Sequence, residues 1–214
     1  MHVSEVLRAA ALGYLVGTIS TADIVSRRAI GGPVDLRNVG SHNPGAANAM
    51  KVLGAKAGAV VMVGDIVKGA AACALGALVA GGSGAHAAGT ACVVGHCYPV
   101  WNGFRGGKGV AAGVGQCLAT FPAYFGVDLA IAAATVAVPQ LKRRALFSTA
   151  VCSAAWIIGA ITWWRKRWPN LWGPVPGPGL VAGATASSAV VMYRFARAGS
   201  QPADALETMP RRAA

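Results

Sequence analysis

The sequence predicts an all-α fold: a polytopic membrane helix bundle of about seven transmembrane helices, with its N-terminus outside and its C-terminus inside. Three observations lead there. The 214-residue chain is 55% hydrophobic and only 12% charged, with a mean hydropathy of +0.51, whereas a soluble domain carries about 25% charged residues. Its apolar residues gather in stretches long enough to cross a bilayer, for which a helix needs ~20 residues. Its basic residues fall mostly between alternate stretches. The 29 glycines and abundant alanines fit the same class, because in lipid small side chains let helices approach closely.

The spans run in order along the chain. Residues 5–26 form the first. Residues 54–80 form the second, a long one interrupted by Asp65 and Lys68, and residues 85–102 the third. The fourth, 108–122, is short, as half of a broken or re-entrant pair would be. Residues 124–140, 146–164 and 179–197 complete the set. No Lys/Arg-led stretch with a distinct small-residue cleavage site marks a removable signal peptide. Residues 1–197 therefore read as a single transmembrane domain, and 198–214, polar and Pro-containing, as a disordered cytoplasmic tail.

Orientation follows from charge. With the N-terminus outside, the inner segments hold Arg27, Arg28, Arg37 and Lys51, then Arg105 and Lys108, then Lys142, Arg143 and Arg144, then Arg194, Arg197, Arg211 and Arg212. The outer segments hold only Arg8, Arg165, Lys166 and Arg167. Cytoplasmic loops carry the excess of Lys and Arg, which selects this orientation. The Arg165–Arg167 cluster runs against the trend, beside Trp163, Trp164, Trp168 and Trp172, which read as an interfacial aromatic belt. The net charge of +12 is thus a matter of topology. Basic residues scattered among apolar stretches, with few aromatics, do not make a nucleic-acid footprint. Cys73, Cys92, Cys97, Cys117 and Cys152 form no CxxC pair and sit in apolar surroundings, as packing residues do. No metal-ligand spacing occurs, and no metal or other cofactor is expected.

Three polar constellations interrupt the hydrophobic pattern. The first runs from Asp35 to Lys51 and contains Arg37, Gly40, Ser41, Asn43, Gly45 and Asn48. Gly and Asn permit left-handed backbone, so successive N–H groups can converge on an anion. Ser41, Asn43 and Asn48 add donors, and Arg37 and Lys51 add charge. An ordinary polar turn is the alternative. The second is Asp65-Ile66-Val67-Lys68-Gly69, inside an apolar run. Asp65 and Lys68 stand three apart on one helix face, close enough to pair. Ionisable groups at membrane depth either neutralise one another or face a polar cavity. The third runs from Gly95 to Ala112 and contains Arg105, Gly106, Gly107, Lys108 and Gly109, leading into the fourth span. N–H groups at a helix start, with two cations beside them, suit a phosphate. A nucleotide-binding loop would need Ser or Thr after Gly107-Lys108, and Gly109 has no hydroxyl. All three constellations fall on one membrane face or within reach of it. They converge on a site for an anionic, phosphorylated small molecule. An enzyme and a small anion transporter both satisfy that description, although a transporter should show a second, inverted set of helix breaks.

Together the motifs resemble those of the bacterial acyl-phosphate:glycerol-3-phosphate acyltransferase family. The stretch from Gly13 to Ser20, with Gly17-Thr18-Ile19-Ser20 at its end, resembles its first-helix signature, which usually reads GSIP. The run from Asp35 to Asn48 is similar to DIRxxGSGNxGATN, Asp65–Gly69 matches DxxKG, and His96–Ala112 is similar to GHxxPxxxxFKGGKGVAT. The resemblance implies acyl transfer from acyl phosphate to the 1-hydroxyl of glycerol 3-phosphate, giving lysophosphatidic acid and phosphate. It implies seven helices with the motifs at the cytoplasmic face of a bacterial cytoplasmic membrane. It makes Ser41, Lys51 and His96 candidate catalytic residues. Arg37, Asn43, Gly45, Asn48, Asp65, Lys68, Arg105, Gly106, Gly107, Lys108 and Gly109 become candidate substrate-binding residues. An acyl phosphate is already activated, so no cofactor is needed. The chain departs from the family at Ser20 (usually Pro), His42 (Gly), Ala47 (Thr) and Lys51 (Arg). Around Tyr193 and Arg194 it lacks the family's C-terminal His and Asn. A divergent member that binds a phosphorylated lipid precursor without acylating it is the alternative. Nothing in the sequence sets an oligomeric state.

Overall fold

A computed structural model describes residues 2–28, 32–138 and 143–198. Among these residues the structure is all helix and no strand: α1 (Val3–Gly17), α2 (Thr21–Ser26), α3 (Ala46–Leu53), α4 (Ala55–Cys97), α5 (Val110–Thr120), α6 (Pro122–Val136), α7 (Arg144–Lys166) and α8 (Pro178–Ala198). A single 3-10 turn covers Val100–Asn102. Val3–Ser26, Ala55–Asn102 and Arg144–Lys166 are long and apolar enough to cross a membrane, and Val110–Thr120 and Pro122–Thr135 are shorter apolar helices.

Small residues set how these helices meet. α4 breaks at Ala80 and Gly81, the latter with φ 56°, and folds back on itself. Gly76 and Gly84 then face one another so closely that a Cβ on either would strike the other's carbonyl oxygen. The two arms correspond to the expected second and third spans. α1 lies against the second arm in the same way, with Gly13 on the backbone of Ala88 and Gly17 on that of Cys92. At the other end of the bundle, Cys117, Phe121, Tyr124, Trp156, Ala160, Leu180 and Ala184 form a buried cluster joining α5, α6, α7 and α8. Phe121 stacks on Tyr124 with centroids 5.2 Å apart.

Two elements differ from expectation. The first span is broken: α1 ends at Gly17, and α2 restarts after Ser20, whose hydroxyl accepts the Asp23 N–H at 3.2 Å as an N-cap. The first polar constellation, which lies outside the expected spans, contains α3, which carries Asn48 and Lys51. α3 starts at Gly45 and stops at Gly54, whose φ of 96° excludes further helix. The expected tail falls, from residue 199 on, outside the described residues, as does Lys142.

Candidate active site

The break between α1 and α2 opens a narrow cleft, lined by residues 17–21 together with Arg37, Pro44, Asp65, Lys68, His96, Pro99, Gly106 and Gly107. All three constellations contribute residues to it. Asp65, buried in the first arm of α4, is its centre. Its Oδ1 accepts from Thr21 Oγ1 at 3.0 Å, faces Lys68 Nζ at 2.8 Å and lies 3.6 Å from His96 Nδ1. Lys68 also donates to the Ile19 carbonyl at 2.9 Å, one of the carbonyls freed by the helix break. On its other side His96 presses Nε2 against Gly107, where a Cβ would collide with the ring. Three ionisable groups inside apolar helices thus satisfy one another and still face a polar opening.

Arg37 plays a different part from the one its charge suggested. It is buried and grips Asp23 with both Nη atoms, at 2.8 and 3.0 Å. It also reaches Asp35 at 3.1 Å and the Arg105 carbonyl at 2.7 Å. Burial works against the guanidinium charge, but the hydrogen bonds and charge of Asp23 outweigh it and raise the Arg37 pKa. Two carboxylates consume that charge, so Arg37 is a clamp between the 35–45 segment and the glycine loop rather than a free phosphate ligand. Asn48 is corrected likewise. Its amide nitrogen donates to the Leu36 and Val39 carbonyls at 3.0 and 2.9 Å, and its oxygen accepts the Ser41 N–H at 2.9 Å. Both amide N–H groups and one acceptor position of Asn48 thus serve its own loop.

The glycine loop is also corrected. The N–H groups of Gly106 and Gly107 donate to the carbonyls of Cys97 and His96, each at 3.1 Å. Neither is available to an anion. Their carbonyls instead accept from Arg194, at 2.6 Å for Gly106 and 3.0 Å for Gly107. What remains for an anion is the first turn of α5 after Gly109, whose φ of 86° suits glycine. Lys108 stands beside it, with Nζ 4.5 Å from the Phe195 ring centroid. Burial, then repulsion from Arg194 and Lys51, lowers the Lys108 pKa. Three cations from α3, the loop and α8 therefore share one neighbourhood.

The other candidates fall around this frame. Lys51 and Ser41 are exposed, and Ser41 lies outside the cleft lining. Asn43 is half-buried beside Gly45, the cap of α3. The Arg105 side chain is exposed, and its carbonyl serves the Arg37 clamp. Sequence reasoning missed Asp23 and Thr21. Asp23 was findable as an acid in an apolar span, by the rule that singled out Asp65.

The sequence profile of the family described as "Glycerol-3-phosphate acyltransferase" matches residues 7–200. The chain belongs to the glycerol-3-phosphate acyltransferase family. It is an acyltransferase. A "Glycerol-3-phosphate acyltransferase" of Thermoanaerobacter pseudethanolicus is 36% identical over 154 residues, 72% of this chain and 76% of that one. One from Rubrobacter xylanophilus is 49% identical over 112 residues, 52% of this chain and 55% of that one. The crystal structure of PlsY, "an integral membrane glycerol 3-phosphate acyltransferase", in its glycerol 3-phosphate form, superposes with a TM-score of 0.72. It is 26% identical, and the match covers 90% of this chain and 88% of that one. The apolar helices and this likeness make the chain a membrane protein. Its departures from the family motifs have local physical readings. His42 has φ 52°, where glycine would be unstrained. Ser20 caps α2 with its hydroxyl, which proline could not do.

Proposed function

We propose that this acyltransferase moves a fatty acyl group from acyl phosphate to the 1-hydroxyl of glycerol 3-phosphate, releasing lysophosphatidic acid and inorganic phosphate. The observation that carries the reading is the cation group of Lys51, Lys108 and Arg194 beside the Asp65–Lys68–His96 cleft, in a chain of this family. The acceptor hydroxyl oxygen attacks the acyl carbonyl carbon. The bond from that carbon to the phosphate oxygen breaks, and the hydroxyl proton passes to the departing phosphate. No metal is required in this balance. Lys51, Lys108 and the first turn of α5 hold phosphate oxygens, and Ser41 hydrogen-bonds the acceptor at the mouth. The Asp65–Lys68 pair and His96 fix the acceptor in the cleft, so that catalysis is mainly positioning and charge stabilisation.

The proposal includes topology. α1 with α2, the two arms of α4, and α5 to α8 make seven crossings in one domain ending near residue 197. The N-terminus lies outside, and the site lies at the cytoplasmic face of a bacterial cytoplasmic membrane. The bias of basic residues supports it. In a cysteine-free background, Arg143→Cys should be labelled by an impermeant thiol reagent only from the cytoplasmic side, and labelling from outside removes the orientation.

The deciding experiment for the reaction is phosphate release from purified protein given acyl phosphate, with and without glycerol 3-phosphate. Release that depends on the acceptor, with lysophosphatidic acid formed in step, is expected. Binding of both substrates without release would make the chain a lipid-precursor binder.

A further inference from the structure

The Arg165–Arg167 cluster opposes the charge bias that orients the chain, so topology gives no reason for it. α7 ends at Lys166, and Arg167 follows with φ 53° and ψ 36°, a left-handed conformation that suits glycine. All three side chains are exposed. Among the described residues no carboxylate pairs with them: Asp23 and Asp35 hold Arg37, and Asp65 holds Lys68. An arginine thus occupies a glycine position, in a run of cations whose charge the protein leaves uncompensated.

The segment that follows is pinned down and turns apolar surface outward. The Asn170 amide nitrogen donates to the Thr120 and Pro174 carbonyls at 3.0 and 2.7 Å, and Trp172 Nε1 to the Leu118 carbonyl at 3.2 Å. Trp163 meets Trp168 edge to face, with centroids 4.7 Å apart, and donates to the Pro169 carbonyl at 3.2 Å. Held on the end of α5 in this way, the segment leaves Leu171 68% and Trp172 70% exposed. This end lies away from the cleft. A Cβ at Gly82 would sit 3.1 Å from Pro174, and from Gly82 to Cys97, beside His96, the second arm of α4 rises about 22 Å. The cluster therefore serves no phosphate bound at the cleft.

We propose that Arg165, Lys166 and Arg167 hold the phosphate of an anionic membrane phospholipid whose acyl chains lie against Leu171 and Trp172. Exposed cations beside exposed apolar and indole surface match such a lipid at both ends. Its phosphate neutralises the cluster, and its chains cover carbon that water would otherwise meet. A free phosphate would satisfy the cations alone, and a neutral lipid the apolar residues alone. On the orientation proposed above, the lipid belongs to the outer leaflet. Each cation beside an anionic bilayer surface is worth roughly fivefold in lipid partition.

The test uses the purified full chain carrying Trp101→Phe, which removes the exposed indole at the other end of the bundle. The protein is placed in phosphatidylcholine vesicles containing brominated phosphatidylglycerol or, at the same fraction, brominated phosphatidylcholine. Quenching of tryptophan fluorescence gives the binding constant of the anionic lipid relative to the neutral one. A preference of roughly fivefold or more is expected at low salt, falling as salt is added. Arg165→Gln, Lys166→Gln and Arg167→Gln together should bring it to parity, whereas Arg165→Lys with Arg167→Lys should retain it. Arg167→Gly, which fits the backbone, should lower it part-way. Parity in the starting protein, or a preference that the triple glutamine variant keeps, overturns the proposal and leaves the cluster as a helix terminus. Should the triple variant lose its fold, read as reaction of its buried cysteines with a thiol dye, Arg167→Gly decides alone, and an undiminished preference there overturns the proposal. Either result leaves the acyl-transfer reading untouched.

Discussion

Replacing Arg37 by Ala separates a clamp from a ligand. The structure assigns Arg37 side-chain hydrogen bonds to both oxygens of Asp23, to Asp35 and to the Arg105 carbonyl. Alanine removes them all and leaves Asp23 with Asn102, at 3.1 Å, and Ser20 as its remaining side-chain donors. Breaking a buried pair from one side costs about 3–5 kcal/mol. The Asp23 and Asp35 side chains are 22% and 46% exposed, so solvent relieves part of this, and about 2–3 kcal/mol is expected. For a chain of this size that corresponds to a fall of about 4–12 °C in thermal midpoint. The assay is thermal unfolding in detergent, followed by reaction of the buried cysteines with a thiol-reactive dye. Arg37→Lys should fall between the two, since an ammonium keeps a carboxylate contact but not the fork that also reaches Arg105. An Arg37→Ala protein with an unaltered midpoint and a raised KM for glycerol 3-phosphate would refute the clamp and restore Arg37 as a phosphate ligand.

Further expectations follow from the glycine loop. Lys108→Ala should weaken phosphate binding by roughly ten- to a hundredfold, the value of one charge-assisted contact, measured as KM for glycerol 3-phosphate and for acyl phosphate; an unchanged KM for both assigns the loop to structure. The Lys108 pKa is lowered from 10.5 by burial, with Arg194 and Lys51 adding repulsion. Between the lowered value and 10.5 the unfolded chain therefore binds more protons than the folded one, so Lys108's contribution to stability rises with pH across that window. Phosphate binding needs the ammonium and should weaken over the same window, and Lys108→Arg should flatten that alkaline limb. Gly107→Ala should cost about 1–3 kcal/mol by overpacking against the His96 ring, and in a His96→Ala background the same substitution should cost little; no loss in the single variant would mean the ring is not there.

The helical stretches were legible where a break separates them, such as the turn of α4 at Gly81 or the arrest of α5 at Phe121 before Pro122. The Asp65–Lys68 pair was legible because its partners are three residues apart on one helix. Roles that depend on distant partners were not. Arg37 reads as spare charge until Asp23, from the first span, and the Arg105 carbonyl are placed beside it. Asn48 reads as a donor for an anion until α3 aims it at Leu36 and Val39. A glycine-rich loop suggests free N–H groups, and only the fold shows that Cys97 and His96 have already taken those of Gly106 and Gly107. The replacement of the family's C-terminal residues looked like a loss, yet the same stretch supplies Arg194, whose partners lie 87 and 88 residues away in sequence.

That last contact gives the site an order of completion. Asp65, Lys68, His96 and Lys108 are all synthesised well before α8. Until that helix inserts, the carbonyls of Gly106 and Gly107 have no guanidinium to hold them, and the turn ahead of α5 is untethered on that side. A chain interrupted before Arg194 would contain Asp65, Lys68, His96 and Lys108 without fastening the loop between them. The helix added last among those described therefore acts as the catch that closes the unfinished molecule around its own chemistry.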